Sequence, residues 1–479
     1  MKKILLMIVI FTGIFSCTDD ITELNQNTKD ATVVPAAYLF TNAQKNIVDQ
    51  MVSTNVNYNV FRLFTQQWTE TTYTDESNYD VGTRSIPDNH WTVFYRDVLI
   101  DLKQSKKYLQ LYEAATPAEI AENANRIAIV DILSAYSYSV LVDTFGDVPY
   151  SESLDIEAHP LPKYDDGETI YRDLIAKLTA ASATLDTGYG SFGSADLVYG
   201  GDVAKWKLFA NSLRLKLAIN MDDVDHTYAT TQALAAVTAG VISMNSDNAA
   251  LKYLSAQPNA NPVFVDVVAS GRNDFVPTST IIDKMNGQSD PRRSIYFTEI
   301  GGIYEGGTPG ASNNFDNFSH IGDMLLEPTF EGLIMDYSEV EFLLAEAVER
   351  GIAVGGDAES HYDAAVTASM SYWGVSGGDI ATYLAQPSVA YATATGTWKQ
   401  KIGEQAYLAL YNRGFESWTS YRRLDYPVLT APADAEETEV PKRYTYPARE
   451  ETLNATNVEA ASSAIGGNTL TTKLFWDVN

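Results

Sequence analysis

Along most of this chain apolar residues recur at three- and four-residue intervals, the spacing that gathers them on one face of a helix. Ile170, Leu174, Leu178 and Leu185 form one such stripe, and Asp165 and Glu168 precede it at capping-box spacing. The clearest start is Thr116-Pro117-Ala118-Glu119, which joins an N-cap, a proline at the first helical position and a capping-box glutamate. It predicts a helix reaching about Val142. Asp202 is the expected cap of Val203 to Asn220. Further helices are predicted at about 336–350, ended by Gly351, at about 359–372, and at about 397–413, ended by Gly414. Strand patterns are few and short. The fold class is therefore all-α; no strict repeat of roughly 34 residues stands out, although helix pairs of that size are compatible with a degenerate helical-repeat array.

Two long segments, 62–91 and roughly 245–330, lack this periodicity and are rich in Asn, Gly, Asp, Tyr and Trp. Long irregular loops on a rigid scaffold usually carry function. The N-terminus breaks the pattern differently: Met1-Lys2-Lys3, an apolar run from Ile4 to Phe15, then Ser16-Cys17. That run fits the roughly 7–15 residues of a signal h-region and falls short of the about 20 a bilayer span needs. It predicts a lipoprotein signal peptide over 1–16 and lipid attachment at Cys17. A tether over 17–30 and one helical domain over 31–479 follow, since no Pro/Ser/Gly linker or charge block divides the rest.

Composition removes several alternatives. Sixty-two acidic residues against 33 basic ones give a formal charge of −29, which disfavours nucleic acid. Cys17 is the only cysteine, so no disulfide holds the fold. The five histidines show no metal-ligand spacing, and neither metal nor cofactor is expected. Gly188 to Gly193 matches GxGxxG, but it follows a helix, not a strand, and reads as a loop. No Walker A, nucleophile elbow or EF-hand spacing occurs, and no catalytic residue is assigned.

Aromatic residues change the picture most, with 29 Tyr, 18 Phe and 7 Trp. Those in or beside helices, such as Trp206, Phe209, Trp373, Trp398, Trp418 and Tyr421, are expected in the core. Trp68, Tyr73, Tyr79 and Trp91 lie in the irregular 62–91 segment among Thr, Asp, Glu and Asn, and are expected to form an exposed ligand platform. Tyr304 and Phe315, with Phe318, are expected to supply its other side from Gly301 to Ser319. Flat rings beside amides and carboxylates suit sugars, which alternate C–H faces with hydroxyls.

Several segments, in order, resemble the SusD/RagB family of surface lipoproteins. They are Leu24-Asn25-Gln26-Asn27, Thr144 to Tyr150 (TFGDVPY), Lys205-Trp206 leading to Ala210-Asn211-Ser212-Leu213-Arg214, Asp290-Pro291-Arg292, and Tyr337 to Ala347. Gly414-Phe415-Glu416-Ser417-Trp418, Arg422-Arg423, Tyr426-Pro427, Pro441 to Tyr444 and Tyr446-Pro447 continue the series. Thr28 stands where the family's early Leu-Asn-x-Asn-Pro pattern has proline. The resemblance implies tetratricopeptide-like helix pairs on one side and irregular ligand-binding loops on the other. It further implies a lipid-anchored outer-membrane protein facing the exterior, its helical side packed on a SusC-like TonB-dependent transporter barrel. The expected ligand is an oligosaccharide or polysaccharide, with a peptide as the alternative and a surface glycoside hydrolase or a purely structural partner further behind. The shared motifs are expected to be structural, with Arg422 and Arg423 pairing with acidic neighbours.

Overall fold

Short acidic side chains begin five of the helices. In the computed structural model, which describes residues 34–478, Asp166, Asp202, Asp225, Asp336 and Asp357 each accept a hydrogen bond from the backbone N–H three residues on. A carboxylate there satisfies an orphan donor and sits at the positive end of the helix dipole. Thr116 and Glu119 close the predicted capping box. The stripe starting at Ile170 is capped by Asp166 and not by Asp165, which instead joins an isolated bridge to Val148 and accepts from Ser151.

The unit from Ala36 onward is built of helix pairs. Helix α1 (Ala36–Val52) packs on α2 (Ile100–Leu111), which prolongs a helical run from Ile86 that widens to π-helical turns over Val93–Leu99. α3 (Pro117–Phe145) pairs with α4 (Gly167–Thr184), α4 with α5 (Val203–Asn220), and α5 with α6 (His226–Ala239). A second array contains α7 (Tyr337–Glu349), α8 (Ala358–Tyr372), α9 (Trp398–Ala409) and α10 (Gly414–Leu424), joined to the first where α5 meets α7. This is the expected tetratricopeptide-like arrangement. α3 is long and apolar enough to cross a membrane, yet it lies buried in the protein body, as the core helix of a large domain would.

The helix predicted over 397–413 is present and stops at Ala409, but Gly414 opens the next helix and does not close this one; a Cβ there would come within 2.8–2.9 Å of Arg62. Nor is 245–330 wholly irregular: Thr278 caps a helix over Ser279–Gly287 that buries Ile281, Ile282 and Met285.

Four strands of three or four residues complete the structure among the described residues: β1 (Trp68–Glu70), β2 (Ala249–Leu251), β3 (Phe275–Pro277) and β4 (Gly332–Met335). β1 pairs antiparallel with β3, placing Trp68 opposite Pro277, and β2 pairs with β4. The first pair stitches the two aperiodic segments of the sequence together.

The family-like motifs lie inside the helical body. Glu346, fully buried on α7, accepts from Arg423 at 2.9 and 3.0 Å and from Arg350 at 2.9 Å. Lys216 bridges Glu339 and Glu416, and Arg292 pairs with Asp290. Arg422 departs from the expected acidic pairing: it donates to the carbonyls of Asp143 and Lys442 and stacks 3.4 Å over Trp418. Burial pulls its pKa down to about 10.

Candidate functional site

Three stretches of chain enclose a cleft of about 440 Å³ on the loop side: Thr54 to Asn57 beyond α1, Glu70 to Tyr73 at the end of β1, and Val265 to Phe275 leading into β3. Hydrogen bonds lock them. Asp266 accepts from the Thr54 N–H and the Ser53 hydroxyl, both at 3.3 Å, fastening the first stretch to the third, and burial raises its pKa. Thr71 donates through its N–H to the Asp274 carbonyl at 2.9 Å and through its hydroxyl to that of Asn273 at 2.7 Å, fastening the second.

Tyr73 stands on the rim, 63% exposed, at the tip of a loop whose base is a pair of acids. The Glu70 carboxylate accepts from the Ser77 N–H at 2.9 Å and hydroxyl at 3.0 Å. Glu76, itself paired with Arg84, is the neighbouring acid, and its charge opposes ionisation of Glu70. Burial, followed by the Glu76 contact, pushes Glu70 up to about 8, so it is neutral under ordinary conditions. Around the rim Arg272 pairs with Asp274 at 2.7 Å, and the Asn55 and Gln257 side-chain nitrogens have no hydrogen-bond partner among the described residues. An exposed ring beside unpartnered amides offers a ligand both stacking and hydrogen bonding.

The exposed platform expected from Trp68, Tyr73, Tyr79 and Trp91 is corrected to Tyr73 alone. Trp68 is 1% exposed because β1 runs through the interior; its indole N–H donates to the Tyr411 hydroxyl at 2.8 Å and its ring packs on Phe275. Tyr79, fully buried, turns inward from a left-handed backbone position (φ 71°) onto Phe64. Trp91 falls in a helix over Ile86–Thr92, where helical spacing directs it against Phe145 and Tyr164. Tyr304 and Phe315 are half-buried and do not line the cleft: Arg293 sits 4.6 Å over Tyr304, and Phe315 stacks on His320 at 3.8 Å. Their loop nevertheless joins the Tyr73 loop, since Asn313 N–H donates to Thr71 and Asn78 to the Gly310 carbonyl. Glycine is required at 310, where φ is +72° and a Cβ would meet Asn78 and Pro432 at 2.5 Å. Cys17 and the residues before and after it, including Leu24 to Asn27, lie outside the described residues.

Sequence reading missed Asn55 and Asn57, which line the cleft. The signal was there in Asn55-Val56-Asn57-Tyr58-Asn59, an aromatic among amides directly after a helix end, but it lies outside the 62–91 window.

A family model described as starch-binding and associating with the outer membrane matches residues 27–447. The chain belongs to the SusD-like family. Among solved structures, this SusD-like chain is similar to a chitin-binding protein at 28% identity, covering 93% of this chain and 100% of the other with a TM-score of 0.80. It is also similar to a SusD homologue from Bacteroides uniformis, at 27% identity over 92% and 100% of the chains with a TM-score of 0.79. A chitin-binding SusD homologue from Flavobacterium johnsoniae matches at 25% identity over 92% and 99%, with a TM-score of 0.77. No curated protein sequence matches the chain.

Proposed function

We propose that this SusD-like chain is a non-catalytic cell-surface receptor that captures an oligosaccharide or polysaccharide through its loop-side cleft. It would be anchored to the outer membrane by lipid on Cys17 and deliver the glycan to a SusC-like TonB-dependent barrel held against its helical side. The observation that carries the reading is the Tyr73 ring, exposed on the cleft rim among unpartnered amides, in a family described as starch-binding. The charged rim, with Arg272 and Asp274, favours as second reading a peptide held by charge and main-chain bonds.

Native electrophoresis of the detergent-solubilised full chain in gels cast with starch, chitosan or other polysaccharides tests the reading. Retardation by one polymer, weakened by Tyr73→Ala, supports glycan capture; migration unchanged in every gel rejects it in favour of a peptide. Gentle extraction from native membranes should bring down a large barrel with the chain, and recovery of the free monomer alone would remove the transporter partnership.

A further inference from the structure

Beside the cleft lies a second hollow of about 370 Å³, and the two share Asn55, Val265 and Asp266 as a common wall. The shared wall sets the two side by side as neighbouring lobes. The far lobe is lined by Tyr58, 40% exposed, and by Pro258 and Pro262. Tyr58 is set firmly: its N–H donates to the Asn55 carbonyl at 2.9 Å and its carbonyl accepts from the Gln50 side chain at 2.8 Å. Its hydroxyl has no hydrogen-bond partner among the described residues. The turn between the lobes is also pre-formed, because Asn57 donates through its backbone and side-chain nitrogens to Asn55 Oδ1 at 3.1 and 2.7 Å. That leaves the Asn55 Nδ2 and Asn57 Oδ1 without partners among the described residues where the lobes meet.

A sugar ring stacks on an aromatic face through its C–H groups, and rings that line separate hollows contact different sugars of one chain. Tyr73 lines the first lobe and Tyr58 the second, with the Asn55–Asn57 turn already fixed between them. Backbone held in advance loses little freedom on binding. We propose that Tyr58 marks a second sugar subsite continuous with that at Tyr73, so that the groove takes an extended oligosaccharide along its length and not a lone terminal sugar. This rests on the glycan reading of the cleft.

Calorimetric titration of the full chain with malto-oligosaccharides and chito-oligosaccharides, from disaccharide to octasaccharide, tests it. In the series that binds, affinity should rise at least about tenfold from disaccharide to hexasaccharide and then level off, as a second linked contact requires. Tyr58→Ala should abolish that rise and leave disaccharide affinity unchanged, which also shows that the variant is folded. Tyr73→Ala should weaken short and long ligands alike. Equal affinity across the series, or a hexasaccharide indifferent to Tyr58→Ala, overturns the second subsite while leaving glycan capture standing. If neither series binds, glycan capture of these polymers and the subsite fall together.

Discussion

The helical body and the loop face treat buried charge in opposite ways. In the body, acids meet cations: Glu346 lies between Arg423 and Arg350, and Glu339 and Glu416 share Lys216. On the loop face, Glu70 meets another acid, Glu76, and Arg84 alone answers both. The first arrangement keeps its charges fixed and ties distant helices into one frame. The second depends on a held proton and closes only a local loop. Sequence motifs shared across a family are thus best explained by the frame, where removing one partner costs several kcal/mol. The ligand-facing loops carry no such penalty and are free to differ.

The comparison breaks hardest at Glu346. Glu346→Ala removes the carboxylate that two buried guanidiniums share and should cost about 3–5 kcal/mol in denaturant unfolding. Trp68→Ala should behave as a core deletion of similar size, about 3–5 kcal/mol, because its ring is enclosed by Phe275, Tyr411 and Arg62. Both variants, where folded, should bind ligand with nearly unchanged affinity. Loss of binding at full stability in Trp68→Ala would instead return that ring to the ligand site.

What the sequence made legible follows the same division. Helix starts depend on local chemistry, a short acceptor and the next few N–H groups, and Thr116, Asp202 and their stripes were readable to within a few residues. The role of Gly414 as a helix start was not, because that glycine answers to Arg62, distant in sequence. The aromatics of 62–91 failed for a related reason. Composition marked the segment as irregular, but β1 pairs with β3 from more than two hundred residues away, and that pairing turns Trp68 inward. Tyr73 lies past the strand end and stayed outside. Exposure in a loop is decided by which partner strand covers it, and a local window holds no record of the partner.

The acid pair gives the next effect. Folded Glu70 keeps its proton up to about pH 8, whereas the unfolded chain releases it near the ordinary glutamate value of 4.5. Its contribution is therefore fully present below about 4.5 and lost as pH rises through about 8. Burial and Glu76 oppose the charged form, and the Ser77 N–H and hydroxyl relieve it only in part. Glu70→Gln keeps a neutral donor beside Glu76 and should flatten the alkaline fall in melting temperature, a difference on the order of 2 kcal/mol across the window. Parallel pH profiles for the two proteins would mean that no proton is held there. His90 moves the other way: burial holds it down to about 3, so its neutral form costs stability as pH falls below about 6.5, a limb that Glu70→Gln should leave untouched.

The smallest effect separates the two regions most sharply. Tyr73 is exposed and, among the described residues, makes no hydrogen bond through its hydroxyl and belongs to no core cluster, so Tyr73→Ala should change unfolding free energy by less than about 0.5 kcal/mol. If the ring stacks on a sugar, the same change should weaken glycan binding about tenfold, equivalent to about 1.4 kcal/mol. Tyr73→Phe then divides the ring from the hydroxyl: retained binding assigns the energy to the apolar face, as stacking demands, and a loss equal to that of alanine assigns it to a hydrogen bond. A peptide held by main-chain contacts and by Arg272 would respond to neither substitution and would weaken with Arg272→Ala instead. Stability untouched and affinity lost is the signature that distinguishes this ring from Trp68, five residues earlier in the same chain, where the order of the two effects should be reversed.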